Sequence, residues 1–204
     1  MRQRRQPGFT LIELMITLAV TVVLMTLAMP SIRDLIDKSR LRGATDDLVK
    51  MLNFAQGSAV KLGHNVNVAI NQSSGWCAGA ISATNPTTPG NQVAGVTACD
   101  CNSASTCLVG DTPMTISNTS YGSSPSYVTL TSVDAAIASS GAGNSGITFT
   151  SKFGALDFSA LPGSPLVQLR SPRGKYSTRI MISPLGQTNA CSVGNFMAGY
   201  QPCP

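Results

Sequence analysis

The residues best suited to chemistry are six cysteines, Cys77, Cys99, Cys101, Cys107, Cys191 and Cys203. An even number in an exported domain reads as a disulfide framework, with fifteen formal connectivities. Cys191 and Cys203 enclose a carboxy-terminal loop and are expected to pair. Cys99 and Cys101 are separated by one residue and cannot easily bond each other. Cys77 is therefore expected to take one of them and Cys107 the other. The spacing does not suit zinc, because a Cys-x-Cys pair followed by a lone Cys lacks both the usual ligand interval and a paired histidine. No metal is expected.

Other reactive groups form no constellation. His64 is the only histidine and reads as structural. Asp100, Asp111, Asp134 and Asp157 are scattered, and no phosphate loop or dinucleotide fingerprint occurs. The expectation is a protein without enzymatic activity or cofactor. One basic cluster stands out: Lys152, Arg170, Arg173, Lys175 and Arg179 face only Asp157, five charges against one, a local net of +4. On neighbouring strands they could bind DNA phosphates. The alternative is a solvated basic edge that discourages sheet aggregation.

These groups must be positioned by a chain of 204 residues with only 11% charged and 43% hydrophobic. Disorder is excluded, since it needs low hydrophobicity and high net charge. The formal charge of +5 is partly an end effect, because Arg2, Arg4 and Arg5 all lie in the first five positions. A basic head before a long apolar stretch has the form of an export signal. The stretch runs from Phe9 to Ile32 with Glu13 as its one charge. The uncharged part, Leu14 to Ile32, would reach about 28 Å as a helix, close to the hydrocarbon thickness of a bilayer. Residues 9–32 are thus expected to span the membrane, amino end inside. Glu13 is costly in such a segment, and Pro30 is expected to kink the helix.

The run Gly8-Phe9-Thr10-Leu11-Ile12-Glu13, after a short Arg-rich leader, resembles the class III signal of type IV pilins and type II secretion pseudopilins. The resemblance implies that residues 1–8 are a leader, cut by a prepilin peptidase between Gly8 and Phe9, with Phe9 then methylated. It implies that Glu13, fifth in the mature chain, meets the terminal amine of a neighbouring subunit and sets assembly register. Pro30 matches a position where family helices kink. The implied partners are other pilin subunits, the peptidase and the inner membrane, with the head in the periplasm. Loss of the leader removes three arginines, so the mature side chains carry 14 − 3 = 11 positive and 9 negative charges, a net of +2.

Past the membrane the apolar positions Ile32, Leu35, Ile36, Leu41, Ala44, Leu48, Met51, Leu52, Ala55, Ala59 and Leu62 recur at three- and four-residue steps. That is the mark of an amphipathic helix over 33–62. The intervening charges, Arg33 to Lys50, read as a solvated or subunit-facing surface. Gly43 is a weak point and Gly63 a stop. A helix from Phe9 to Leu62 would be roughly 80 Å long, and a monomer could bury only its second half.

From residue 63 to 204 the pattern becomes one of short strands. Candidates are His64–Ile70, Trp76–Ile81, Met114–Ser117, Tyr127–Ser132, Ile147–Thr150, Ala155–Phe158, Leu166–Arg170, Tyr176–Ser183 and Ala190–Val193. Gly, Pro, Asn and Ser clusters separate them, as in antiparallel sheets. Most of Asn85 to Ser126 is expected to be loop. The fold class is α+β, with a long amino-terminal helix packed on an antiparallel sheet head.

This layout resembles the GspH/FimT-type minor pilins. Some of these bind DNA in natural transformation through a Gly-Arg-x-Arg stretch. Here the matching residues are Gly186-Gln187-Thr188-Asn189, which lack both arginines. Ser171-Pro172-Arg173-Gly174-Lys175 offers another basic turn. The resemblance therefore implies a minor pilin of a priming or tip complex, with a DNA-binding minor pilin or a secretion pseudopilin as alternatives.

Overall fold

The computed structural model describes residues 9–71, 75–82, 99–101, 106–121, 128–133, 146–157, 166–195 and 197–204, without the side chains of 27–30 and 132–133. The chain divides into two compact units, Met1–Ile36 and Asp37–Pro204. A 52-residue helix, α1 (Leu11–Leu62), supplies most of the first and opens the second. It ends where Gly63 turns to a φ of +68°, a conformation that costs glycine nothing and stops the helix.

Among the described residues of the first unit, the large apolar side chains are exposed. Leu11 is 78% exposed and Met25 66%. Among the described residues, no single helix is long and apolar enough to cross a membrane. The segments Leu11–Thr26 and Ser31–Leu62, taken together, pass by length and composition. The expected kink at Pro30 falls among the residues whose side chains lie outside the described set.

The second unit is built on the later part of α1. Leu41, Ala44, Leu48, Met51, Leu52, Ala55 and Ala59 are all at most 1% exposed. They form one stripe at helical spacing, and each large side chain so buried contributes about 1.5–3 kcal/mol. The expected stripe is too long at both ends: Ile32, Leu35, Ile36 and Leu62 are exposed. The first three precede the head, and Leu62 is the last residue of α1. Gly43 packs beside the Tyr121 ring.

Eleven strands are described: β1 (Val66–Asn71), β2 (Cys77–Ser82), β3 (Leu108–Val109), β4 (Thr112–Pro113), β5 (Thr115–Ser117), β6 (Thr129–Val133), β7 (Ile147–Phe149), β8 (Leu166–Arg170), β9 (Ser177–Ile182), β10 (Thr188–Val193) and β11 (Gln201–Pro202). They form a sheet ordered β5-β2-β1-β7, a sheet ordered β11-β10-β9-β8-β6, and the small pair β3-β4. Alternation decides the faces. β1 sends Val66, Val68 and Ile70 into the core, and β9 sends Thr178, Ile180 and Ile182. The two larger sheets and α1 share one apolar core. Within it the Thr45 and Thr178 hydroxyls lie 2.7 Å apart, a polar tie between α1 and β9.

Three expectations change. The Ala155–Phe158 candidate is reduced to one bridge, Phe149 to Leu156, with residue 158 outside the described set. The Asn85–Ser126 region holds β3, β4 and a 3-10 helix over Asn118–Tyr121, elements too short to show a period. Finally, β11 runs parallel to β10, in a head otherwise paired antiparallel among the described strands. A two-residue strand carries no readable pattern.

Candidate functional site

The amino-terminal end of α1 is organised by Thr10 and Glu13. The Thr10 backbone N–H and hydroxyl donate to Glu13 Oε2 at 3.3 and 3.2 Å, and the Glu13 N–H donates to Thr10 Oγ1 at 3.3 Å. This is a reciprocal capping box, Thr-x-x-Glu, and it satisfies donors that a helix start leaves without partners. Thr10 is the residue the sequence reading missed, although the Thr-x-x-Glu signature before an apolar run was there to find it. Phe9 is 80% exposed just before the cap. Gly8 lies outside the described residues.

The charged surface of α1 is not simply solvated, which corrects the expectation. Asp37 is 5% exposed, and Arg173 Nε donates to its Oδ2 at 2.8 Å. Tyr200 donates its hydroxyl to Asp46, and Tyr121 donates to Asp47 at 2.9 Å. The hydrogen bond from Lys50 holds the Asp47 carboxyl below its ordinary value of 3.8, assisted by Tyr121 and opposed by partial burial. Burial and the neighbouring carboxylates push both tyrosine hydroxyls upward, so they stay protonated donors. Three carboxylates on one helix thus clamp three separate head segments.

The cysteines pair as Cys77–Cys101, Cys99–Cys107 and Cys191–Cys203. The first two bridges cover the face of β2 opposite the core and form their own buried cluster. That explains why β2 is buried on both faces instead of alternating. Gly79 sits between them, and a Cβ there would run into the sulfurs of Cys99 and Cys107. The third bridge fastens β11 to β10. Among the described residues, no group of three or more His, Cys, Asp or Glu could hold a metal ion. His64 is partly buried after the helix stop, and its Nδ1 has no hydrogen-bond partner among the described residues.

The five cations of the basic cluster do not form one surface. Lys152 is exposed in the turn Ser151–Gly154, after β7, and does not line the cleft described next. Arg173 is engaged with Asp37. Arg179 is partly buried on β9, and its Nε is buried without a partner among the described residues. Only Arg170 and Lys175 share a cleft, of about 520 Å³. The Gly186-Gln187-Thr188-Asn189 stretch forms the turn into β10, where Gly186 has a φ of +82°.

Residues 3–29 match the family described as the prokaryotic N-terminal methylation motif. No curated protein and no solved structure gives a significant match to the chain. The motif supports a type IV pilin-like protein, processed by prepilin peptidase and assembled with other pilins. A helix followed by antiparallel sheets and disulfides fits an α+β pilin-like fold.

Proposed function

We propose that the chain is a minor type IV pilin of the GspH/FimT kind. It is cut between Gly8 and Phe9, methylated on Phe9, anchored in the inner membrane with its head in the periplasm, and built into a pilus within a priming or tip complex. The observation that carries the reading is the methylation motif over residues 3–29, leading into a helix whose first apolar stretch is exposed among the described residues.

The chemistry is that of assembly. In lipid the apolar helix needs no protein partner, while in a filament the same surface packs against other helices. A new Phe9 ammonium and the Glu13 carboxylate of a neighbour are tolerable in an apolar environment only as a pair, since an uncompensated buried charge costs roughly 3–5 kcal/mol. A subunit therefore settles where the charges meet. Before that, the Thr10 cap supplies Glu13 with local donors. The dispersal of the basic cluster gives a DNA track little support.

Mass spectrometry of the amino-terminal peptide tests the processing step, with N-methylated Phe9 expected. An intact Met1 on the mature protein would end the proposal. Pilus loss on deletion supports the pilus assignment, whereas loss of protein secretion with pili intact would assign the chain to the secretion pseudopilins.

A further inference from the structure

A cleft lies beside the β8–β9 hairpin. Its polar lining comes from Thr131, Gln168, Arg170, Lys175, Ser177 and Asn195. Among the described residues, neither an aromatic ring nor a carboxylate lines it. We propose that this cleft binds a saccharide that carries a carboxylate, of the uronic-acid class, with Arg170 as the anion-binding group.

The site is preset by its surroundings. Arg170 Nε donates to the Gly174 carbonyl at 2.9 Å, which orients the guanidinium and leaves the Nη edge of the fork to meet a planar carboxylate side by side. Gly174 makes this possible twice over. Its φ of +71° suits only glycine, and a Cβ there would stand 3.1 Å from Arg170 Nε. The hairpin turn is closed by Gly174 N–H to Ser171 O at 2.8 Å and Ser171 N–H to Tyr176 O at 2.9 Å. Asn195 Nδ2 donates to Lys175 O at 2.8 Å, Ser177 Oγ to Val193 O at 3.0 Å, and Thr131 Oγ1 to Gln168 O at 3.2 Å. These bonds tie the walls together across β6, β8, β9 and β10.

The ligand class follows from the lining. Both hydroxyl oxygens are already donating and keep lone pairs that accept from sugar hydroxyls, while the Gln168 amide can both give and accept. Small apolar ligands choose mostly apolar pockets, which this is not. Single-stranded nucleic acid needs aromatic platforms and a continuous cationic groove. Among the described residues no ring lines the cleft, and only two of the five clustered cations are present. Arg170 and Lys175 together suit one anionic group on a polyhydroxylated body.

The test is titration of the full processed chain in detergent micelles with trigalacturonate, set against neutral galactotriose and an oligothymidylate. Saturable binding of trigalacturonate is expected, with galactotriose at least about tenfold weaker. Arg170→Gln should weaken binding by about tenfold or more, and Lys152→Gln, outside the cleft, should leave it unchanged. Gln168→Glu places a repelling charge on the outer face of β8 and should abolish binding. It provides the test even if the Arg170 variant misfolds. Absence of trigalacturonate binding, equal binding of galactotriose, or full binding by Gln168→Glu overturns the proposal. Displacement of trigalacturonate by a lower concentration of oligothymidylate overturns it too, in favour of a phosphodiester site.

Discussion

Arg173, at the tip of the β8–β9 hairpin, holds the carboxylate of Asp37, the first residue of the head unit, across 136 residues of chain. The acid is nearly buried and the base half-exposed, with side-chain exposures of 8% and 46%. The pair therefore fastens the start of the head helix to the far sheet. Removing the arginine leaves a buried carboxylate without its main donor. Arg173→Ala is expected to lower head stability by about 1–2 kcal/mol, and Arg173→Lys by less. Urea unfolding followed by Trp76 fluorescence measures this, because the chain has one tryptophan and it is 3% exposed. No change in the Arg173→Ala midpoint would mean that the pair is only a surface contact.

Acid should loosen the head through Asp47. Its carboxyl titrates below the ordinary value of 3.8 when folded, chiefly because Lys50 donates to it. A depressed folded pKa contributes stability above the unfolded value, and this is lost as pH falls through the folded one. The urea midpoint is expected to drop on going from about pH 5 to about pH 2, and Asp47→Asn should flatten part of that slope. Tyr121→Phe deletes one of the two donors and should cost about 1 kcal/mol near neutrality. An Asp47→Asn profile that superimposes on the wild type throughout would remove Asp47 from the account.

The two bridges over β2 depend on Gly79. Gly79→Ala inserts a methyl group where two sulfurs already sit, and the strand is paired on both sides by β1 and β5, so it cannot simply step back. A loss of about 1–3 kcal/mol is expected. Non-reduced peptide mapping should show Cys77–Cys101 and Cys99–Cys107 formed less completely in this variant. Unchanged mapping and stability would show that the strand can yield.

The third bridge should behave independently. Replacing Cys191 and Cys203 together by Ser should cost about 2–4 kcal/mol and release β11, while the two bridges over β2 stay formed. Hydrogen exchange at the amide of position 203, which as Cys203 donates to Ser192 O at 3.0 Å, reads that release directly. Full protection there after the replacement would show that the strand pairing alone suffices.

At the amino end, cap and register make separable demands. Thr10→Val removes the hydroxyl of the capping box and should cost the helix start about 1 kcal/mol. It leaves the Glu13 carboxylate in place, so assembly should be only mildly reduced. Glu13→Ala removes the charge itself: processing at Gly8 should persist while incorporation into filaments falls steeply. Counting the variants in sheared filaments against total membrane protein distinguishes the two. Wild-type assembly of Glu13→Ala would end the register argument.

What the sequence settled by itself was local or covalent. The apolar stretch before residue 33, the helix stop at Gly63 and the alternation of β1 and β9 all follow from neighbours a few residues apart, so period and side-chain type suffice. The Thr-x-x-Glu cap is equally local, though it was read only once the structure showed it. Cys99 and Cys101 could be kept from pairing on spacing alone, but which of them takes Cys77 depends on how the loop lies over β2. Tertiary structure also decided the fate of the charges. The basic residues near the carboxy end look like one patch when read along the chain, yet alternation and turns send Arg173 to Asp37 and Arg179 into partial burial. Only Arg170 and Lys175 remain together in the cleft. Electrostatic partners are chosen by distance in space, and chain order constrains that distance weakly once strands pair across dozens of residues.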